Sequence, residues 1–467
     1  MLFNSFGFTL LYLPIVIIFY FIFNHVNLKL GKIFLLISSV VFYAFAGWKY
    51  LLILLISLAI NYCFLLLLHK DSLDAINKRK IVLVIGISFN ILVLLYFKYY
   101  NFFIKNINSI FSSNISLKKL IVPLGISFIT FQQIMYLVET YRKSINSKNF
   151  TDYALFISFF PKLVMGPLAD PNSLINQFND TNNKTVNYDN IANGIRIFII
   201  GLVKKVLIAD MVAKVVNMGF LDAANCNMLD VWLIVISYTM QIYFDFSGYS
   251  DMAIGIARML NIELPINFSS PYKSTSIKEF WNRWHITLNQ FFIKDVYIPL
   301  GGSRKGTAIT YLNIMIIFLI SGFWHGANWT FILWGICHGV LCCMDRMFKN
   351  IHDKLPKFIQ WAITFLLVNI LWLLFRAEDI QQFFVLFTRM FNFSTMGLPS
   401  GKFLQPFRNI YIFSLFYLTT LFIALIPKNI YKKKFNNKII TTLLYAGVFV
   451  LCLFTFATNT EFVYFNF

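Results

Sequence analysis

The chain has 467 residues, of which 58% are hydrophobic and only 13% are charged, and its mean hydropathy is +0.68. Soluble domains carry about 25% charged residues, so the composition excludes an ordinary soluble protein. The net charge of +20 is compatible with nucleic-acid binding, but the lysines cluster in short breaks between apolar runs, as in cytoplasmic loops under the positive-inside rule. We therefore expect no nucleic-acid partner.

Apolar runs of about 20 residues recur along the chain, the length needed to cross a hydrocarbon core roughly 30 Å thick. The alternating segments typical of membrane barrels do not dominate. The sequence predicts an all-α, polytopic integral membrane protein with roughly 10–12 transmembrane helices plus re-entrant or interfacial helices. Residues 1–467 are expected to form a single membrane-embedded domain, without internal repeats.

The first apolar run has no preceding basic residue and no following cleavage site, so we expect a retained helix. Two lysine-rich breaks, Lys70–Lys80 and Pro427–Lys438, are predicted to be cytoplasmic. Among the predicted spans are Phe8–Phe23, Lys32–Phe45, Tyr50–Leu68, Ile81–Phe97, Ile191–Val216, Asp230–Phe246, Ile359–Phe375, Ile410–Ile426 and Ile439–Phe456.

Two segments between these spans are apolar but unusual. Pro123–Arg142 carries several polar side chains, including Gln132 and Gln133, which in lipid must face protein or a water-filled cavity. Phe159–Pro167 is too short and too interrupted by proline to span simply. It is predicted to be a re-entrant or interfacial element that lines a cavity.

The region from about Tyr243 to Met344 holds three of the six histidines. His325 lies within an apolar run, and an ionisable residue in such a run is a functional hypothesis by default. Gly322 and Gly326 flank it in a G-x-x-x-G pair, which lets another helix or a substrate approach closely. A histidine satisfied by a neighbouring helix is the alternative, and the residues alone leave both open.

His285 follows an aromatic, charged segment. At 100° per residue Trp281, Trp284 and Leu288 share one helix face, which predicts a helix at an interface or dipping into a cavity. An aromatic belt with a snorkelling Arg283 is the alternative. His338 follows His325 by thirteen residues, about 140° apart on one straight helix, so we interpret it as structural.

Asp245 and Asp251 could orient a histidine, bind a cation or cap a broken helix. The cysteines lie mostly in apolar segments, so we expect no disulfide framework. His338, Cys342 and Cys343 lie close together in sequence, but no second Cys/His pair has metal-ligand spacing, so we expect no metal site. The chain has no G-x-S-x-G, Walker A or H-E-x-x-H motif. This disfavours the usual soluble hydrolases, ATP-driven pumps and intramembrane zinc proteases.

Five segments together resemble the membrane-bound O-acyltransferase family. The similarity is closest to the bacterial membrane subunits that O-acetylate alginate, peptidoglycan and other envelope polysaccharides. It covers most of the chain and rests on Pro123–Arg142, Phe159–Pro167, Asp245–Asp251, Arg283–His285 and the highly specific run Phe323–Thr330.

The resemblance implies a tunnel across the membrane with His325 as a buried catalytic residue and His285 as a second one towards the cytoplasmic side. It places the catalytic core at about residues 120–345, in a multi-pass protein of the bacterial cytoplasmic membrane surrounded by lipid. The residues expected to line the tunnel or support the site are Trp324, Asn328, Trp329, Asn282, Arg283, Trp284, Asp245 and Asp251.

The resemblance also implies an acyl thioester donor, acetyl-CoA in the acetylating members, and no bound cofactor. The acyl group would pass to a polysaccharide acceptor or to an extracytoplasmic acetyltransferase partner. Such transfer needs a general base, and a neutral imidazole in an apolar tunnel supplies one. Asn328, Trp329 or backbone amides are expected to stabilise the oxyanion, and a nucleophilic histidine stays open. D-alanyl transfer to teichoic acid and a non-enzymatic transporter or flippase are the alternative functions.

Overall fold

A computed structural model describes residues 1–70, 76–145, 147–407, 409–425, 431, 439–456 and 462. The described chain is 79% helix without strands, which confirms the all-α prediction. Parts of the two lysine-rich breaks lie outside these residues, namely 71–75 of the first and all of the second except Tyr431. Their predicted cytoplasmic location stays a prediction.

Five helical stretches are long and apolar enough to cross a membrane, which confirms a multi-pass protein. A sixth span results if two helices that meet at a 78° bend, Gly401–Phe407 and Ile410–Leu425, count as one. The larger predicted number of spans stays a prediction. The five are Gly7–Val26, Trp48–Leu68, Asn77–Phe111, Thr307–His325 and Lys357–Arg376.

The chain divides into two compact units. Unit 1 comprises Met1–Ile200, Tyr249–Pro265 and Phe435–Gly447. Its helices are α1 (Leu13–Val26), α2 (Leu28–Ala44), α3 (Trp48–Leu68), α4 (Ile76–Leu94), α5 (Tyr100–Phe111), α6 (Ile126–Tyr141), α7 (Phe150–Ser158), α8 (Phe160–Leu163), α9 (Pro171–Asn179) and most of α10 (Tyr188–Leu202).

Unit 2 comprises Gly201–Gly248, Ile266–Lys434 and Val448–Phe467. It contains α11 (Asp210–Leu221), most of α12 (Met228–Met259), α13 (Ile277–Arg283), α14 (Ile286–Phe292), α15 (Thr307–His325), α16 (Trp329–Met347), α17 (Lys349–His352), α18 (Lys357–Arg376), α19 (Ile380–Met390) and α20 (Ile410–Leu425). The last helix, α21 (Ile439–Thr455), has residues in both units.

Side-chain caps fix where the helices around the central region begin. The Ser276 hydroxyl accepts from the Glu279 amide at 3.1 Å at the start of α13. The Asn328 side chain accepts from the Thr330 amide at 3.2 Å at the start of α16. Each cap satisfies an amide that has no partner within its helix, so the chain can start a new helix directly after a break.

Glycines set the approach of α15 to α16. A Cβ at Gly322 would clash with the carbonyl oxygen of Phe331 and crowd Gly335, and a Cβ at Gly335 would clash with the carbonyl oxygen of Phe318. The close approach predicted from the glycine pair is therefore present. Its partner across the interface is Gly335, while Gly326 packs against the ring of Phe331.

The short Phe159–Pro167 segment is built around α8, a single helical turn, and all its residues are buried in unit 1. Four residues of helix rise about 6 Å, far less than the membrane thickness, so this element does not span. Whether it is re-entrant stays a prediction.

Candidate active site

The chain around His285 is a sharp break between two short helices. α13 ends at Arg283, Trp284 is extended, and His285 has the left-handed backbone angles φ 45° and ψ 51° before α14 begins at Ile286. Left-handed geometry is uncommon outside glycine and costs about 1 kcal/mol or more. Trp281, Trp284 and Leu288 are all buried but do not share one continuous helix. The predicted single helix face is therefore wrong, because the break redirects the chain.

Asn267 holds this break in place from a preceding segment. Its backbone carbonyl accepts from the Ile286 amide at 3.0 Å. Its side-chain Oδ1 accepts from the Thr287 hydroxyl at 2.7 Å and contacts His285 Nδ1 at 3.3 Å. These contacts offset the backbone strain, and no motif in the sequence pointed to Asn267.

The contact with Asn267 also selects the tautomer of His285. Because Oδ1 can only accept, His285 Nδ1 carries the proton and Nε2 is the basic nitrogen. The ring is only 1% exposed and packs edge-on against Phe246 at a centroid distance of 4.7 Å. Burial lowers the pKa of His285, so the imidazole is neutral at physiological pH.

His325 is the last residue of α15 and is 4% exposed. The helix stops there because Gly326 is extended. The imidazole packs among aromatic rings, with centroid distances of 4.8 Å to Trp324, 5.1 Å to Trp334 and 5.1 Å to Phe375. This surrounding is aromatic and apolar, so the imidazole is shielded from water.

Trp324 joins the two histidines within unit 2. Its ring centroid lies 4.8 Å from that of His325 and 6.2 Å from that of His285. The side chain is 4% exposed, and both imidazoles are buried with it. The structure thus brings together the two histidines that were predicted to be catalytic, although they are 40 positions apart along the chain.

His338 lies closer to this centre than sequence reasoning indicated. Trp334 has ring centroids 4.7 Å from His338 and 5.1 Å from His325. The premise of one straight helix is wrong, because the chain breaks between α15 and α16 and the two histidines lie on different helices. Trp281 donates its indole N–H to His338 Nδ1 at 3.3 Å. A structural role for His338 stays an interpretation.

Asp245 belongs to a buried ion cluster. Lys205 Nζ lies 2.8 Å from Asp245 Oδ1 and 2.8 Å from Asp210 Oδ1, with Asp245 and Lys205 almost completely buried. Lys205 is in a π-helical segment, Val203–Ala209, directly before α11. Asp245 and Asp251 both lie inside the 32-residue helix α12, so neither caps a broken helix. Asp251 belongs to unit 1.

The other predicted site residues differ in their surroundings. Trp284 is buried against Trp372 at a centroid distance of 4.9 Å. Arg283, the last residue of α13, pairs with Glu279 on the same helix, its Nη2 lying 2.7 Å from Oε1. Asn282 is exposed. Its side chain therefore offers least to a buried site.

Asn328 and Trp329 were the predicted oxyanion donors. Asn328 caps α16 and donates through Nδ2 to the Glu378 carbonyl oxygen at 2.6 Å. Trp329 is 50% exposed. These contacts favour a structural role for Asn328, and oxyanion stabilisation by either residue stays a prediction.

Comparison with known proteins gives this site its family. The sequence model of the membrane-bound O-acyltransferase family, MBOAT, matches residues 35–378. This stretch covers well over half of the chain and includes His285, His325 and their neighbours. The chain therefore belongs to the membrane-bound O-acyltransferase family.

Several relatives share most of their length with it. A peptidoglycan O-acetyltransferase of Helicobacter pylori is 42% identical over 413 residues, covering 82% of this chain and 78% of the relative. A probable alginate O-acetylase AlgI of Pseudomonas aeruginosa is 38% identical over 404 residues, covering 85% and 76%. A teichoic acid D-alanyltransferase of Bacillus subtilis is more distant, at 28% identity over 244 residues, covering 50% and 62%.

The protein is thus a multi-pass membrane enzyme, an O-acyltransferase that uses an acyl donor. This confirms the resemblance, the fold class and the enzyme class predicted from the sequence.

Proposed function

We propose that this protein moves acetyl groups from a cytoplasmic thioester, acetyl-CoA, to O-acetylate a cell-envelope or exported polysaccharide of the alginate or peptidoglycan type. The observation that carries the proposal is the arrangement of two buried imidazoles, His285 and His325, on the shared ring of Trp324. The names of the more similar relatives, a peptidoglycan O-acetyltransferase and a probable alginate O-acetylase, support the acetyl group and the acceptor class. The location we propose is the bacterial cytoplasmic membrane, in keeping with an envelope acceptor.

The proposed chemistry is acyl transfer from sulfur to oxygen. A neutral imidazole, which we assign to His325, takes the proton of the acceptor hydroxyl while that oxygen bonds to the thioester carbonyl carbon. Collapse of the tetrahedral intermediate breaks the carbon–sulfur bond, and the leaving thiolate takes the proton from the imidazolium. The rings of Trp324, Trp334 and Phe375 keep water from competing with the acceptor.

His285 is the second proposed catalytic residue. Its Nδ1–H donates to Asn267, and its basic Nε2 can accept a proton on the side of the site where the acyl thioester binds. Burial keeps the ring neutral, which a proton acceptor requires. Trp284 and Arg283 support it by fixing the break between α13 and α14. The single acyltransferase domain with a catalytic core at about residues 120–345 is part of this proposal.

The test is acetyl transfer in proteoliposomes with radiolabelled acetyl-CoA on the cytoplasmic face. Wild type is compared with His325→Ala, and His25→Ala, which removes an exposed histidine of α1, is the matched control. We expect His325→Ala to lose about 100-fold or more in rate and His25→Ala to match wild type. Equal rates for wild type and His325→Ala, with equal folded protein, would contradict the assignment of His325.

Acceptor and partner are tested in the same vesicles. Label appearing directly on an added polysaccharide means that this chain completes the transfer. Label that leaves the protein only when an extracytoplasmic acetyltransferase is added means that it hands the acyl group on. Membrane lipid is the third component in contact with the protein, and the vesicles supply it.

D-alanyl transfer is the second candidate, because one relative over half of this chain is named a teichoic acid D-alanyltransferase. A D-alanyl carrier-protein thioester, offered in competition with acetyl-CoA, separates the two. Consumption of the D-alanyl thioester alone would replace the acetyl proposal. Movement of an intact thioester or polysaccharide without acyl transfer would favour the transporter alternative.

A further inference from the structure

Among the described residues of unit 1, one buried lysine has no carboxylate beside it. Lys162 lies on α8 and is 0% exposed. Its Nζ donates to Oε1 of Gln132 at 2.5 Å and lies 3.9 Å from the ring centroid of Phe156. No Asp or Glu among the described residues forms an ion pair with it. An amide oxygen and a ring face compensate a buried ammonium only in part.

The other buried lysines in the described chain are compensated by carboxylates. Lys32 pairs with Asp152 at 2.6 Å. Lys205 lies between Asp210 and Asp245, at 2.8 Å from each. Both of these lysines have a negative partner, whereas Lys162 has none among the described residues.

Helix α6, which carries the Lys162 partner Gln132, also carries buried hydrogen-bond donors without an acceptor in the described chain. The amide nitrogens Nε2 of Gln132 and Gln133 and the hydroxyl of Tyr136 are buried and have no hydrogen-bond partner in the described chain. The two amide oxygens, in contrast, are used. Gln132 accepts from Lys162, and Gln133 accepts from the Tyr153 hydroxyl at 2.6 Å. Buried polar groups are nearly always satisfied, so these donors indicate a missing acceptor.

The donors lie around one aromatic cluster. Gln132 and Gln133 precede Tyr136 on α6 by four and three residues, so all three share one side of the helix. The Tyr136 ring centroid is 5.1 Å from that of Tyr153 and 5.5 Å from that of Phe156, the ring that Lys162 covers. Residues of α6, α7 and α8 therefore bring a cation and neutral donors into one neighbourhood.

We propose that this cluster binds a compact anion, of the size of chloride or a single carboxylate group. Such a ligand only accepts hydrogen bonds and carries the charge that Lys162 lacks, so it would satisfy the amides, the hydroxyl and the ammonium together. The cluster is separate from the acyl-transfer residues assigned above, none of which is Lys162, Gln132, Gln133 or Tyr136. The inference therefore does not depend on the proposed function.

The experiment uses the full chain, purified in detergent, and measures the melting temperature while isethionate, a sulfonate without a carboxylate group, is replaced by chloride or by acetate at constant ionic strength. Wild type is expected to show a saturable rise in Tm with one or both anions, because a ligand that binds the folded state stabilises it. Comparing the two arms distinguishes a halide site from a carboxylate site. Inorganic phosphate, a larger and more highly charged anion, is expected to give no saturable rise.

Variants locate the effect. Lys162→Met should abolish the rise, whereas Lys148→Met, which removes an exposed lysine of the same unit, should keep it. Tyr136→Phe removes one hydroxyl and should weaken the apparent affinity about tenfold, the usual range for a hydrogen bond to a charged group. Gln133→Leu should weaken it in the same direction.

The proposal is overturned by two results. A saturable rise that is unchanged in Tyr136→Phe, Gln133→Leu and a folded Lys162→Met would place the anion elsewhere. The absence of any rise in wild type would mean that Lys162 is buried as a neutral amine. If Lys162→Met does not fold, Tyr136→Phe and Gln133→Leu still show whether the anion binds at this cluster, because each leaves the lysine in place.

Discussion

Replacing Asn267 with alanine tests whether the His285 break serves catalysis. Asn267 Oδ1 accepts from the Thr287 hydroxyl at 2.7 Å and contacts His285 Nδ1 at 3.3 Å and the Thr287 amide at 3.3 Å. The substitution removes this acceptor from the three donors. One short and two long hydrogen bonds correspond to a loss of about 2–3 kcal/mol of stability. The imidazole also loses the contact that selects its tautomer, and a displacement of about 1 Å costs about 100-fold in rate.

The assay is the rate of acetyl transfer from acetyl-CoA in proteoliposomes, with Tm measured on the same preparations. Asn289→Ala is the matched control, because Asn289 is a half-buried asparagine of α14 that donates to the Trp281 carbonyl oxygen at 3.1 Å. It should lose stability with little change in rate. Thr287→Val removes the strongest donor to Asn267 but keeps the contact with His285, so its rate should fall much less than that of Asn267→Ala.

A folded Asn267→Ala protein that transfers acetyl groups at the wild-type rate while its Tm drops would contradict this prediction. In that case Asn267 only stabilises the break, and the placement of His285 does not limit the reaction. A fall in rate with a normal Tm would instead mean that the hydrogen bonds contribute to orientation and little to stability.

Three further outcomes are expected. Gly322→Ala should reduce the free energy of unfolding by about 1–3 kcal/mol and slow acetyl transfer, because the alanine methyl group would clash with the backbone oxygen of Phe331. Thermal melts check the first effect and transfer rates check the second. Lys205→Met should destabilise by about 3–5 kcal/mol, measured by denaturation, because it removes the ammonium that pairs with the buried Asp245 carboxylate; intact stability would contradict this. Transfer rates should show no inflection near pH 6.5 from His285, because burial lowers its pKa and leaves the ring neutral both above and below that pH. An inflection there that disappears in His285→Gln would refute this assignment.

The helical membrane character was predictable because apolar runs report directly on the solvent around a helix. His325 and His285 were also predictable as candidates, since polar groups are costly in such runs. The break at His285 was not. Left-handed geometry at a histidine has no sequence signal comparable to glycine, so the aromatic spacing was read as one helix. Asn267 was missed for the same reason, because its role exists only once the break is formed.

The separation of α15 from α16 shows a second limit. Gly326 and the cap at Asn328 are visible in the sequence as possible break signals, but hydrophobicity continues through them, and hydropathy alone treats the stretch as continuous. On a continuous helix His325 and His338 diverge. Across the break both rings contact Trp334, a residue that sequence reasoning did not single out.

The buried lysines show why pairing must be read from structure. Lys162 and Lys205 both lie in apolar sequence, and Asp210, five residues after Lys205, is the only nearby carboxylate that the sequence offers to either. Folding gives Lys205 two carboxylates, one of them 40 residues away on α12. It gives Lys162 an amide oxygen and a ring, near amide and hydroxyl groups that have no hydrogen-bond partner among the described residues. A buried ammonium needs either a fixed negative partner or a bound one, and only in the first case does the chain itself supply it.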